Sequence, residues 1–213
     1  MDKFIINGGN RISGSVDISG AKNAVLPLMT AALLVDGETT INSVPDLRDT
    51  RTMIRLLKII GAEVAFNNSS LAINASGVNN LEAPYDLVKT MRASFYVLGP
   101  LLARFGEVRV SLPGGCAWGP RPVDYHLKGL EKLGATISLE SGYIMAKAKY
   151  LKGNKISFDF PSVGATGNIL MASVLARGET RIENAAKEPE IVQLCEVLNK
   201  MGANIIGIGT DKI

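Results

Sequence analysis

The chain has 213 residues, of which 46% are hydrophobic, 20% charged and 6% aromatic, with Lys and Arg exceeding Asp and Glu by 23 to 20. That length buries a core without staples, and an apolar chain with mixed charges is not intrinsically disordered. A net charge of +3 excludes a nucleic-acid coat, so any anion site is local. The lone histidine, His126, excludes a multi-histidine metal cage, and Cys116 and Cys195 form no CxxC pair of the kind that marks zinc sites or disulfide frameworks. Residues 1–7 lack the basic region and apolar stretch of a signal peptide. The longest apolar run, 24–35, is broken by Pro27 and Thr30 and is too short for a bilayer. A cytoplasmic protein is expected.

In chain order, residues 3–18 read as a β-like arm, with runs at 3–6 and 14–18. Residues 24–35 follow as a helix apolar nearly all round, the pattern of a helix buried inside a domain, with Gly37 as its stop. A short strand at 39–41 precedes an amphipathic helix, 53–60, that stops at Gly61. A hairpin of 63–66 with 71–73 closes the unit. The same order returns as apolar helix 95–105, strand 108–110, amphipathic helix 125–133 and strand 136–139. It returns again as apolar helix 169–176 and amphipathic helix 191–201, with Ile191, Leu194, Cys195 and Leu198 on one face. Gly37-Glu38 recurs as Gly106-Glu107 and Gly178-Glu179, and Gly61-Ala62 as Gly134-Ala135 and Gly202-Ala203, a period of about 70 residues. Each unit reads β-α-β-α-β-β. The expected fold class is α/β, with three pseudo-repeats around three buried helices at a pseudo-threefold axis. The final run, 204–208, reads as a strand without its hairpin partner.

The first helix of each unit opens on a small, polar or basic cluster: Ser19-Gly20-Ala21-Lys22-Asn23, Thr90-Met91-Arg92-Ala93-Ser94 and Ser162-Val163-Gly164-Ala165-Thr166. Helix starts present free N–H groups and a positive dipole end to anions, and threefold symmetry brings the three starts to one mouth. Ordinary capping is the competing reading of each. Residues 113–126, Pro-Gly-Gly-Cys-Ala-Trp-Gly-Pro-Arg-Pro-Val-Asp-Tyr-His, form the sharpest segment. Nearby cations favour a reactive Cys116 thiolate, against a plain small residue in a turn. Arg121 has the form of a phosphate or carboxylate clamp. Trp118 is a lid residue or a core anchor. Asp124 either accepts from a nucleobase N–H or caps the following helix. His126 has no identifiable partner as a base and reads as a surface or ligand-edge residue. Cys195 reads as core.

Gly-Ala-Lys22-Asn23, Met91-Arg92-Ala93-Ser94, the run from Pro113 to His126, Ser162-Val163-Gly164-Ala-Thr and Glu188-Pro-Glu-Ile together resemble the UDP-N-acetylglucosamine 1-carboxyvinyltransferase family of enolpyruvyl transferases, over the whole chain. The resemblance implies a two-domain enzyme of inside-out α/β barrels. Of these, this chain holds roughly half: 22–213 as the first barrel with the cysteine loop, and 1–21 as an arm of the missing second domain. It implies transfer of the enolpyruvyl group of phosphoenolpyruvate to the 3′-hydroxyl of UDP-N-acetylglucosamine, with release of phosphate, in peptidoglycan synthesis. The fragment by itself is expected to be inactive.

The resemblance also assigns residues. Cys116, Lys22 and Arg121 are implied as catalytic, and Lys22, Asn23 and Arg121 as phosphoenolpyruvate-binding. Asn23, Arg92, Arg121, Pro122, Val123, Asp124, Tyr125, Ser162, Val163 and Gly164 are implied to bind the nucleotide sugar. No metal, organic cofactor, nucleic acid or membrane is implied as a partner. Phe160 stands where some members carry a lysine for the diphosphate, and Tyr96 where some carry tryptophan. Three alternatives stay open: a non-catalytic nucleotide-sugar-binding fragment, an enolpyruvylshikimate-phosphate synthase-like transferase, and a relative of RNA cyclases, which needs a nucleophilic histidine.

Overall fold

The computed structural model describes residues 3–112 and 123–213. The first unit runs through α1 (Lys22–Ala31), prolonged by a 3₁₀ turn Ala32–Leu34, then β1 (Glu38–Ile41), α2 (Arg48–Ile60), β2 (Glu63–Asn67) and β3 (Ser70–Asn74). The second comprises β4 (Glu82–Ala83), the short α3 (Tyr85–Val88), a 3₁₀ segment Arg92–Val97 leading into α4 (Leu98–Phe105), β5 (Glu107–Ser111), α5 (Asp124–Lys132), β6 (Thr136–Glu140) and β7 (Tyr143–Lys147). The third contains β8 (Lys155–Ser157), α6 (Val163–Ser173), β9 (Arg181–Glu183) and α7 (Pro189–Lys200).

Three sheets follow the three units. The first is antiparallel in the order β1-β3-β2, the second runs β4-β5-β7-β6, and the third pairs β8 with β9. β4 lies parallel to β5, and β8 parallel to β9. A parallel pair needs a crossover, and the helices between these strands, α4 and α6, are the buried ones. Strand faces alternate as a one-sided sheet requires: Leu71 and Ile73 on β3, Val108 and Val110 on β5, and Ile144 and Ala146 on β7 turn inward.

The middle of the molecule is helical. All residues of α1 from Ala24 to Ala31 are buried, as are those of α6 from Ala165 to Ala172. These helices need no polar face because other elements surround them. α4 packs on α6, and α1 packs on the 3₁₀ segment that precedes α4. Thr30 of α1 reaches Met171 of α6, with Oγ1 and Sδ 3.6 Å apart. The second helices lie outside this trio, α2 and α7 on α1 and α5 on α6. Their burial is confined to one face, such as Met53, Leu56, Leu57 and Ile60 of α2. At the α4–α6 crossing a Cβ on Gly99 would run into the Asn168 carbonyl, so the missing side chain sets how closely the helices approach.

The sequence expectations need correction in four places. The first helix of the second unit begins as 3₁₀, because Pro100 has no N–H for an α-helical bond to Tyr96 and its ring crowds that carbonyl. Among the three Gly-Glu pairs, only Gly106 directly ends its helix, in the left-handed region at φ 79°. Gly37 and Gly178 follow further turns. Residues 3–18 form no strand; they pair with no neighbour among the described residues, and Phe4 is 99% exposed. Residues 204–208 form no strand either, because the Asn199 side chain takes both backbone groups of Ile205. The Ile205 N–H donates to Oδ1 at 2.7 Å, and Nδ2 donates to the Ile205 carbonyl at 2.9 Å. It is Ile213 that pairs with β9, exchanging bonds of 2.7 and 3.0 Å with Ile182. Among the described residues, no helix is long and apolar enough to cross a membrane.

Candidate functional site

The starts of the three buried helical segments differ in how their free N–H groups are met. Lys22 and Asn23 open α1 after Ala21, which has no side chain able to cap. Arg92 opens the 3₁₀ segment after Met91, again without a side-chain cap. Ser162 caps α6, its Oγ accepting from the Ala165 N–H at 3.4 Å. The cap residues of the first two starts thus supply no side-chain acceptor to the N–H groups that follow.

One cavity of about 300 Å³ collects residues from all three. Asn23 comes from α1, Arg92 and Tyr96 from the 3₁₀ segment, and Val163 and Gly164 from α6. Val123 and His126 enter from the start of α5, and Glu190 from the first turn of α7. Residues far apart in sequence thus share one wall because their helices converge at one end of the molecule.

Other expected site residues lie elsewhere. Lys22 sits beside Asn23 but leans onto α2, its Nζ 3.0 Å from Asp49 Oδ2. Ser162 is occupied in capping. Tyr125 turns away, its ring 5.7 Å from that of Phe158, and borders a separate depression with Lys128 and Asp159. Phe160 is 72% exposed. Cys116, Trp118, Arg121 and Pro122 lie outside the described residues. Asp124 does not cap α5, because Val123 holds the cap position. Its Oδ2 is 3.5 Å from Lys128 Nζ, while Oδ1 is buried with no hydrogen-bond partner among the described residues. Cys195 is core, as expected, and burial pushes its thiol up to about 11.

His126 is not a surface residue: it is 4% exposed. Its Nδ1 lies 2.9 Å from Asn168 Nδ2, and its ring stands edge-on to Phe95 with centroids 4.9 Å apart. Burial, aided by the Arg92 charge and opposed by Asp124, pushes the imidazole down to about 3. Tyr96 donates its hydroxyl to the Val163 carbonyl at 3.4 Å. Burial raises this phenol well above its ordinary range, and Glu190 and Glu188 act in the same direction. Sequence reasoning gave Phe95, Glu190 and Asn168 no role. Their only signals were the proximity of Phe95 to Arg92 and the Glu188-Pro189-Glu190-Ile191 run.

The family model described as EPSP synthase (3-phosphoshikimate 1-carboxyvinyltransferase) matches residues 6–213. A UDP-N-acetylglucosamine 1-carboxyvinyltransferase of Chlorobaculum parvum is 58% identical over 213 residues, covering 99% of this chain and 50% of the relative. A protein of the same name from Chloroherpeton thalassium is 59% identical with the same coverage. The chain thus spans about half the length of the curated relatives it matches. Among solved structures, the enolpyruvyl transferase NikO of Streptomyces tendae superposes with a TM-score of 0.83 at 26% identity, over 96% of this chain and 48% of that one. EPSP synthase of Acinetobacter baumannii shares the fold, with a TM-score of 0.72 at 19% identity over 93% of this chain and 46% of that one.

Proposed function

Because this chain belongs to the EPSP synthase family, we propose that it forms the nucleotide-sugar-binding part of an enolpyruvyl transferase that acts on UDP-N-acetylglucosamine and phosphoenolpyruvate, in the cytoplasm and in peptidoglycan synthesis. The observation that carries the reading is the meeting of Asn23, Arg92, Val123 and Gly164, from three repeated units, around one cavity. Two features support the choice of substrate. Relatives bearing that activity in their names are 58% and 59% identical to this chain. Oδ1 of Asp124, buried with no hydrogen-bond partner among the described residues, is an acceptor suited to a nucleobase N–H, since leaving it unpaired costs about 1–3 kcal/mol.

In this reading the 3′-hydroxyl gives up its proton as its oxygen bonds to C2 of phosphoenolpyruvate and C3 takes a proton. The resulting ketal then loses phosphate and a C3 proton to leave the enol ether. Both steps develop charge that fixed dipoles and cations stabilise without reorganising. The proposal gives phosphoenolpyruvate to Lys22, Asn23 and Arg121, with Arg92 towards the sugar nucleotide. The uridine goes to residues 121–125, and the diphosphate to Ser162, Val163 and Gly164 at the start of α6. Cys116 is assigned proton delivery to C3 or covalent capture of phosphoenolpyruvate. Residues 1–21, with Phe4, Ile5, Ile6, Ile12, Val16 and Ile18 all exposed, are assigned to a second domain, which would cover those side chains.

Calorimetry on this chain separates the nucleotide-sugar reading from a shikimate one. We expect saturable heat with UDP-N-acetylglucosamine and none with shikimate 3-phosphate. The reverse preference, or heat from neither, contradicts the proposal.

A further inference from the structure

We propose that His126 is a positioning residue of the cavity, held by Asn168 as an uncharged Nε2–H donor beside Gly164, where it meets an acceptor oxygen of the bound nucleotide sugar. The inference rests on the nucleotide-sugar reading above and adds a residue to it.

The tautomer follows from a chain of hydrogen bonds. The Gly99 N–H can only donate, and it does so to Asn168 Oδ1 at 2.8 Å. That fixes the orientation of the buried amide. Its Nδ2 then faces the Phe95 carbonyl at 3.0 Å and His126 Nδ1 at 2.9 Å. An amide nitrogen only donates, so Nδ1 accepts and the ring proton resides on Nε2. Phe95, which receives one of these bonds, also packs edge-on to the ring, so ring and amide are held by the same neighbours.

The Nε2 edge of the ring is left available. Among the described residues it has no hydrogen-bond partner. His126 lines the cavity. A Cβ on Gly164 would stand 3.2 Å from both Cε1 and Nε2, so the bare glycine keeps this edge uncovered at the helix start.

The groups around the ring explain why a neutral donor is needed. Arg92 of the 3₁₀ segment and Asp124 of α5 itself act on the ring, Glu190 of α7 lines the same cavity, and α6 contributes no charged residue. Arg92 already supplies a cation. A second one that titrated near neutrality would make anion affinity vary with pH. Burial and Arg92 both keep the imidazole uncharged, so its donor remains constant.

His126 is the only histidine of the chain, so imidazole ¹⁵N spectra report its state without assignment. In ligand-free protein we expect a single Nε2–H tautomer, unchanged between about pH 5 and 8. Addition of UDP-N-acetylglucosamine should shift Nε2 more than Nδ1. His126→Leu should weaken nucleotide-sugar binding about ten-fold, while His126→Gln, which keeps a neutral donor, should stay within about three-fold of the parent. A ring that titrates in this range or carries its proton on Nδ1 overturns the proposal, and so does His126→Leu binding as tightly as the parent. An invariant Nε2–H ring in a chain that binds no nucleotide sugar would refute the substrate assignment while supporting the lock by Asn168.

Discussion

A neutral histidine inside a fold links stability to pH. The folded chain holds His126 down to about 3 against an ordinary 6.5, so below pH 6.5 the unfolded chain takes up a proton that the native state refuses. The contribution is complete above about pH 6.5 and is lost as the pH falls from there towards 3, at up to about 1.4 kcal/mol per unit. Urea unfolding at pH 7 and pH 5 should show the parent losing about 2 kcal/mol more than His126→Gln over that interval. Equal losses in the two proteins would contradict a buried neutral ring. Sequence alone could not supply this. The partner, Asn168, lies 42 residues further on, in the apolar stretch of α6 that reads as core, so the sequence shows no partner for His126. Asn23, Arg92 and Gly164 were readable because each sits in a cluster at the start of a repeated helix. What each side chain does there was less so: Lys22 pairs with Asp49, and Ser162 serves its own helix.

Between elements, the closest fit is α4 against α6. Gly99 gives its N–H to Asn168 Oδ1 and has the Asn168 carbonyl where a side chain would begin. Gly99→Ala should therefore destabilise the fold by roughly 1–3 kcal/mol, although alanine is favoured over glycine in a helix by about 1 kcal/mol. Thermal or urea unfolding of the variant measures this. A stability equal to or above the parent's would show that the crossing is looser than described. The elements most readable in the sequence were the wholly apolar helices and the hairpins, since burial on all sides or on alternate residues leaves a periodic trace. The 3₁₀ start of the second unit escaped because one proline, Pro100, decides it. The run 204–208 escaped because the Asn199 side chain replaces a strand partner, and hydrophobic pattern carries no sign of such a bond.

On the scale of the whole molecule, three related units place their buried helices side by side and bring the beginnings of those helices to a shared cavity. Asn23, Arg92 and Gly164 come to line one cavity only through that convergence. The chain spans about half the length of the curated relatives it matches, and within that length the three helix starts already line one cavity. Backbone amide spectra recorded during a titration with UDP-N-acetylglucosamine test this most directly. Asn23, Ala93 and Gly164 should shift together and saturate at the same ligand concentration. Shifts confined to one of these helix starts, or saturating at different concentrations, would contradict it.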